Sequence, residues 1–316
     1  MIPSQDAEDL RTVLLEPLGR QVGSVGWGLG RLLGRSARHL DDLLPILHTA
    51  IDLGINFWEV SPRYGQGLAE QVVGALIKKP GQEVVLLSHL NDTDGGFEGG
   101  FDATLYCVDG TLQRLGWDHL PLLHLVVRDD PPLDWLLHHR GALGALSRLR
   151  AEGIVEHIGV SGADVLLLRR ALATGEFEAV LSFGHIHLLD DSALDPLFAQ
   201  AKRTHILTIN GAPFAGGQLT PPGIDEIIDA PDTPEDVLER VDELLALLDQ
   251  HGLSIEEAAL GFSTSQSLID VTLVGASTVN ELEQCRLILE RDPTALLAFV
   301  MEWAQRLHST SESTSD

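Results

Sequence analysis

The sequence is poor in lysine, in cysteine and in basic residues generally. Three lysines occur (Lys78, Lys79 and Lys202), and 21 bases in all stand against 47 acids, for a formal net charge of −26. Because nucleic acids and anionic membranes bind basic surfaces, neither is expected as a partner. The two cysteines, Cys107 and Cys285, lie far apart and match no disulfide or metal-binding spacing.

Long hydrophobic runs are missing as well. No apolar stretch reaches the roughly 18 residues of a transmembrane helix, and the first residues lack the basic-then-apolar order of a secretory signal. A cytoplasmic protein is therefore expected. The chain has 316 residues, of which 44% are hydrophobic, which suits a single α/β barrel of about 250 residues plus insertions.

Eight apolar, β-branched runs alternate with segments of helical periodicity. Near-continuous apolar strands between amphipathic helices indicate a parallel sheet covered by helices, and eight such units predict a closed (β/α)8 TIM barrel. An open doubly wound sheet is the alternative, but the glycines of "GWGLGRLLGR" do not have its GxGxxG spacing. The strand-like runs cover residues 22–28, 55–60, 83–90, 120–127, 155–162, 179–186, 206–213 and 271–277.

Glycines follow several of the helical segments, as expected for left-handed helix caps. They are Gly54, Gly116, Gly153, Gly175 and Gly252. One domain is predicted over residues 1–308, with an apolar helix near 293–307. The small polar residues of 309–316 predict a disordered tail.

In a TIM barrel the chemistry lies at the C-terminal ends of the strands. The residues predicted at those ends are Glu59, Tyr64, Ser88, His89, His124, Val126, Ser161, Gly162, His185, His187 and Asn210. His124 lies inside "LLHLVV" and is interpreted chiefly as a core histidine with a hydrogen-bond partner. His185 and His187 have the i, i+2 spacing of a metal pair but lack an evident third ligand, so no metal site is predicted.

Several motifs, in order, resemble those of the aldo-keto reductase family. "GINFWEVSPRYG" (54–65) is similar to the family's GxNFxDTAxxYG, and "QGLAEQVVGAL" (66–76) to its GxSExxLGxAL. "TLQRLGWD" (111–118), "LRAEGIVEHIGVSG" (149–162) and "LVGASTVNELEQC" (273–285) match further family segments. The resemblance covers about residues 13 to 290, and within the family it is strongest to the galactose- and fucose-type sugar 1-dehydrogenases.

The resemblance implies a catalytic site with a changed set of residues. The family's catalytic tyrosine corresponds to Tyr64, its aspartate to Glu59, its lysine to His89 and its histidine to Val126. A free phenol titrates near ~10 and needs a positive neighbour to act as a base near neutrality. We expect His89, paired with Glu59, to replace the lysine beside Tyr64, so activity should fall well above pH ~7, where histidine is neutral.

The resemblance also implies a nicotinamide cofactor and a small-molecule substrate. Ser161 matches the serine that holds the carboxamide, and Gly162 stands in place of its asparagine partner. No lysine or arginine follows strand 8 within 277–285, so NAD(H) is favoured over NADP(H), whose 2′-phosphate binds a basic side chain. The predicted cofactor-binding residues are Ser161, Gly162, Ala212, Pro213, Phe214, Gly216, Gly275, Ser277 and Thr278.

Three functions remain open from the sequence. The first is hydride transfer between NAD(P) and a carbonyl, sugar or secondary alcohol, with Tyr64 as acid and base. The second is cofactor-free acid–base chemistry by Tyr64, His89 and Glu59, as in an isomerase, a dehydratase or a cyclase. The third is a non-catalytic regulatory or partner-binding barrel, because fold does not determine function.

Overall fold

A closed barrel of parallel strands forms the centre of the molecule, as predicted. The structure is a computed structural model that describes residues 12–33, 40–78, 84–90 and 99–309. The barrel strands are hydrogen-bonded in chain order, and the last pairs with the first to close the circle. Two short strands, β1 (Thr12–Leu15) and β2 (Arg20–Gly23), precede the barrel strands β3 (Val25–Gly28), β4 (Phe57–Glu59), β5 (Val85–Leu90), β6 (Leu120–Val126), β7 (Val155–Gly162), β8 (Ala179–Ser182), β9 (Leu207–Asn210) and β10 (Val271–Val274).

Helices connect the strands and cover the outside of the barrel. They are α1 (Leu40–Asp52), α2 (Leu68–Leu76), α3 (Phe101–Leu115), α4 (Leu133–Leu136), α5 (Ala142–Ala151), α6 (Val165–Leu172), α7 (Gln200–Arg203), α8 (Pro221–Asp229), α9 (Glu235–His251), α10 (Ile255–Ser265), α11 (Val279–Glu290) and α12 (Thr294–Ser309). The alternative of an open sheet is therefore wrong. The final apolar helix is present as α12, and residues 310–316 of the predicted tail lie outside the described residues.

The glycines predicted to end helices have the left-handed backbone that this position requires. All five have φ between 64° and 75°, a conformation that costs other L-residues energy. They are Gly54, Gly116, Gly153, Gly175 and Gly252.

Burial on both faces explains why the strands read as continuous apolar runs. All seven residues of β6 are buried. Leu122 faces the barrel interior, while its neighbours Leu123 and Leu125 belong to the cluster packed under the helices. Because side chains alternate along a strand, His124 and Val126 share the inward side with Leu122.

A hairpin that the sequence analysis did not predict closes the N-terminal end of the barrel. β1 and β2 pair antiparallel, so the predicted first strand, 22–28, is divided between the hairpin and β3. Leu15, Leu18 and Val22 join the apolar cluster of the barrel interior. The opposite, C-terminal end carries the candidate site.

The two ends of the barrel sequence meet where β3 pairs with β10. Val25 and Thr272 are register partners, and Trp27 Nε1 donates a hydrogen bond of 2.9 Å to the carbonyl oxygen of Ala276, 249 residues away.

Among the described helices, none is long and apolar enough to cross a membrane.

Candidate active site

Three side chains meet at the C-terminal ends of β4 and β5. The Tyr64 hydroxyl donates to Glu59 Oε1 at 2.8 Å, and His89 Nε2 lies 2.7 Å from the same oxygen. Glu59 and His89 are each only 5% exposed, so their interaction is screened less than one in water. The expected Glu59–His89 pair is present. The order differs from the expectation, however. The Glu59 carboxylate lies between Tyr64 and His89, whereas the His89 imidazole was expected next to Tyr64.

Glycines at and just after the end of β3 make room for this arrangement. A Cβ atom at Gly30 would lie 3.0 Å from Tyr64 Cζ, and one at Gly28 would lie 3.1 Å from Glu59 Oε2. The turn that carries Tyr64 also contains Gly65 at φ 59°. Small residues on the first barrel strand thus let the phenol ring and the carboxylate pack directly against the backbone.

Ser161 lies on the far side of His89. Its hydroxyl oxygen is 3.1 Å from His89 Nδ1, and Ser161 is fully buried on β7. At Gly162 a Cβ atom would come within 2.9 Å of the carbonyl oxygen of Val127, which explains the lack of an asparagine there. The predicted contact of Ser161 and Gly162 with a nicotinamide carboxamide stays a prediction.

His124 lies in the barrel core beside His89, its register partner on the neighbouring strand. Its ring meets that of His89 edge-on, with the centroids 6.0 Å apart. Burial, and secondarily the neighbouring His89, lowers the pKa of His124 well below its ordinary value, so its imidazole is neutral. The core position agrees with the prediction, but among the described residues neither ring nitrogen has a hydrogen-bond partner. Val126, two residues later, lines the cavity above and has no side-chain donor.

A cavity of about 610 Å³ opens above the Tyr64–Glu59–His89 cluster. Its volume lies within the range of small-molecule sites. The loops after β9 and β10 contribute small residues and glycines to another part of the cavity wall. Predicted cofactor residues on that wall are Ala212, Pro213, Phe214, Gly216 and Gly275.

The other predicted cofactor residues, Ser277 and Thr278, lie at the N-terminus of α11. The Ser277 backbone N–H donates to Glu281 Oε2 at 2.6 Å, and the Ser277 hydroxyl donates to the same oxygen at 3.0 Å. Thr278 caps the helix by accepting from the Glu281 N–H at 3.2 Å. A helix N-terminus attracts anions, and here a carboxylate of the chain itself takes that place.

Arginines on the cavity wall were missed by the sequence analysis. Arg31, Arg63 and Arg128 all line it, although the chain as a whole is strongly acidic. Arg31 is exposed and lies against the glycines of both loops: a Cβ at Gly275 would be 2.9 Å from its Cδ, and one at Gly217 would be 3.5 Å from Nη1. Arginines shortly after strand ends were the available signal in a chain with so few bases: Arg31 follows β3 by three residues, and Arg128 follows β6 by two.

His185 and His187 bind neighbouring protein atoms. His185 Nδ1 lies 3.0 Å from Asp190 Oδ2, and His187 Nε2 lies 3.2 Å from the carbonyl oxygen of Gly184. Among the described residues, no group of three or more potential ligands is placed to hold a metal ion.

The family profile described as the aldo/keto reductase family matches residues 24–291. The chain belongs to the aldo/keto reductase family. The predicted membership is thereby confirmed, and with it the expectation that the barrel follows this family's fold.

Sugar dehydrogenases are among the relatives of this family member. L-galactose dehydrogenase of Arabidopsis thaliana is 29% identical over 275 residues, which cover 84% of each chain. D-threo-aldose 1-dehydrogenase of a Pseudomonas species is 26% identical over 298 residues, covering 84% of this chain and 89% of that one. The predicted likeness to sugar 1-dehydrogenases is confirmed.

A solved structure shares the fold. The aldo/keto reductase of Klebsiella pneumoniae, determined in complex with NADP and acetate, superposes with a TM-score of 0.68. It is 20% identical, and the match covers 90% of this chain and 93% of that one.

Proposed function

We propose that this chain is an NAD-dependent oxidoreductase that acts on a hydroxyl or carbonyl group of a sugar or a secondary alcohol. The observation that carries the proposal is that Tyr64 and Glu59 open onto the same cavity as the small-residue loops after β9 and β10. The similarity to sugar dehydrogenases supports the substrate class. Bound NAD would accept or return the hydride, which the side chains of the protein do not supply.

Tyr64 is proposed as the acid and base. In the oxidation direction, the substrate hydroxyl gives its proton to the Tyr64 oxygen, and Tyr64 passes its own proton to Glu59 Oε1, 2.8 Å away. The substrate O–H electron pair becomes part of the new C=O bond, and Glu59 ends protonated. In the reduction direction both protons run back. A phenol that already donates to a carboxylate has a proton acceptor in place without a lysine.

His89 is proposed to hold that acceptor in position. Because an ionised carboxylate can only accept hydrogen bonds, Nε2 of His89 carries a proton and donates it to Oε1. Two donors on one oxygen, at 2.8 Å and 2.7 Å, fix the orientation of Glu59. The pair Glu59–His89 then performs the supporting role that the family gives to aspartate and lysine.

The loops after β9 and β10, together with Arg31, fit a dinucleotide. The 211–217 loop presents small residues, and Arg31 has no ion-pair partner among the described residues, so its charge suits a phosphate. The N–H of Ser277 already holds an anionic oxygen, that of Glu281. We favour NAD over NADP because a 2′-phosphate near α11 would meet the Glu281 carboxylate and no basic side chain between 277 and 285.

Acid–base chemistry without hydride transfer is the second candidate. One observation favours it: Tyr64, Glu59 and His89 form a hydrogen-bonded set that is complete without any cofactor. An isomerase, a dehydratase or a cyclase could use the same three residues.

The first experiment is calorimetric binding of NAD(H) and NADP(H), followed by turnover of aldoses monitored by nicotinamide absorbance. We expect NAD(H) to bind more tightly than NADP(H), and Tyr64→Phe to lower kcat by about 10²- to 10⁴-fold without weakening cofactor binding. Tyr106→Phe is the matched control, since this other tyrosine is 81% exposed.

Each contrary result points elsewhere. Absence of cofactor binding at millimolar concentration would end the redox proposal and favour cofactor-free acid–base chemistry. Equal activity of Tyr64→Phe and Tyr106→Phe would remove Tyr64 from the mechanism.

A further inference from the structure

We propose that Ser161 is a positioning residue for His89, whose imidazole it holds so that the Nε2 proton stays on Glu59. The inference rests on the proposed function, because that function gives the Glu59–His89 pair its role in proton transfer. It assigns to Ser161 a task different from the cofactor contact that the family resemblance implies.

The geometry places a partner at each nitrogen of the His89 ring. Nε2 lies 2.7 Å from Glu59 Oε1 on β4, and Nδ1 lies 3.1 Å from Ser161 Oγ on β7. His89 and Ser161 are buried, at 5% and 0% exposure. The imidazole is therefore held from two directions by two separate strands.

The hydrogen-bond partners of His89 determine which of its two ring nitrogens carries the proton. A neutral imidazole has one N–H and one bare nitrogen. In the neutral form of His89, because the carboxylate requires the N–H at Nε2, Nδ1 is the bare nitrogen and the serine hydroxyl donates to it. Without that hydroxyl, the second tautomer becomes accessible, in which a lone pair of Nε2 faces the Glu59 carboxylate and repels it.

The other groups around His89 do not duplicate this contact. His124 on β6 is neutral and meets the ring edge-on at a centroid distance of 6.0 Å. Tyr64, Arg63 and Arg128 line the cavity above. Among the described residues, Ser161 is the hydrogen-bond partner recorded at Nδ1.

The two roles of Ser161 compete for one hydrogen atom. A serine hydroxyl has a single proton to donate, and donated to Nδ1 it is not available to a carboxamide oxygen. A positioning role predicts that loss of the hydroxyl changes the state of His89. A cofactor role predicts that the same loss weakens NAD binding instead.

The test compares Ser161→Ala with Ser88→Ala. Ser88 precedes His89 on β5, is fully buried, and its hydroxyl has no hydrogen-bond partner among the described residues. In ¹⁵N-histidine spectra of the full chain, we expect Ser161→Ala to shift the tautomer balance of His89 and Ser88→Ala to leave it unchanged. The pH at which kcat/KM is half-maximal should move by about half a unit or more, while the Kd for NAD changes by less than about twofold.

The pair Ser161→Thr and Ser161→Val guards against a packing effect. The two side chains have the same shape and differ in the hydroxyl, so Thr should restore the wild-type tautomer and pH profile and Val should not. An unchanged His89 spectrum in Ser161→Ala overturns the inference, and a raised Kd for NAD together with it would assign Ser161 to the cofactor. Because the spectra need no turnover, they decide the inference even if hydride transfer is never observed.

Discussion

The two walls of the cavity are built in different ways. On the β4, β5 and β7 side, side chains bond one another: Tyr64 to Glu59, Glu59 to His89, and His89 to Ser161. On the β9 and β10 side, the wall is formed mainly by backbone and small residues of the 211–217 loop.

The difference shows which part of such a site tolerates substitution. A wall made of backbone depends on glycine and other small residues, because larger side chains would block the cavity. The sequence of the 211–217 loop therefore still resembles that of the family. A wall made of side chains can exchange lysine and aspartate for histidine and glutamate, provided that the donors and acceptors still pair. If one wall serves proton transfer and the other cofactor binding, a substitution in one should change kcat and a substitution in the other should change the Kd for NAD.

The largest effect is expected from Glu59→Gln. The amide has nearly the same size but cannot take a proton from Tyr64, so kcat for oxidation should fall by about 10²- to 10⁴-fold. The Kd for NAD should stay within about twofold, because Glu59 belongs to neither of the loops after β9 and β10. Steady-state kinetics and calorimetry measure the two quantities. Glu239→Gln, an exposed residue of α9, is the control, and near-normal kcat in Glu59→Gln would refute the carboxylate as proton acceptor.

Arg31→Met should have the opposite effect: the Kd for NAD should rise while kcat stays nearly unchanged. Methionine retains the apolar stem against Gly275 but removes a charge suited to phosphate, so the Kd for NAD should rise about tenfold. The rate at saturating cofactor should be close to wild type. A lowered kcat with unchanged Kd would mean that the guanidinium serves the reacting atoms and that the walls do not separate.

His124→Leu tests the buried histidine that neighbours His89. The buried imidazole stays neutral in the fold because its pKa is lowered well below the ordinary value, while in the unfolded chain it gains a proton below about pH 6.5. Wild type should therefore lose up to about 1.4 kcal/mol of stability per pH unit below that value, relative to His124→Leu. Denaturant unfolding at pH 7 and pH 5 measures the difference. His205→Asn, at an exposed site, is the control.

Glu281→Gln should give the smallest effect. Removing this exposed carboxylate takes a like charge away from a 2′-phosphate, so the preference for NAD over NADP should narrow by about three- to fivefold. Ratios of Kd for the two cofactors measure it, with Glu283→Gln on the same helix as control. An unchanged ratio would separate Glu281 from cofactor choice.

The sequence predicted the barrel because the fold depends on features that are local in the chain. Strand runs, helical periods and the glycines after helices are each determined within a few residues, and all eight barrel strands appear in the order predicted. Most strands end earlier than the predicted runs, as β8 does at Ser182. When apolar residues continue from a strand into the following loop, the hydrophobic pattern does not show where the strand ends.

For the site, the sequence predicted the positions of the residues at the strand ends but not their contacts. Glu59 and His89 were correctly placed at neighbouring strand ends, but strand position does not fix side-chain torsions, so the central place of the carboxylate was missed. Ser161 and His89 are 72 residues apart, and their contact follows from the closure of the barrel. The Thr278–Glu281 contact did leave a signal, the S/T-x-x-E spacing of a capped helix.

The joint between β3 and β10 has a consequence for synthesis on the ribosome. The first barrel strand is made well before its partner strand β10, and the carbonyl that receives the Trp27 indole proton is made 249 residues after Trp27. Until then, β3 has an unpaired edge and Trp27 an unpaired donor. The circle can therefore close only after β10 has been synthesised, and a nascent chain stalled before β10 would expose a strand edge on which chaperones or other nascent chains could act.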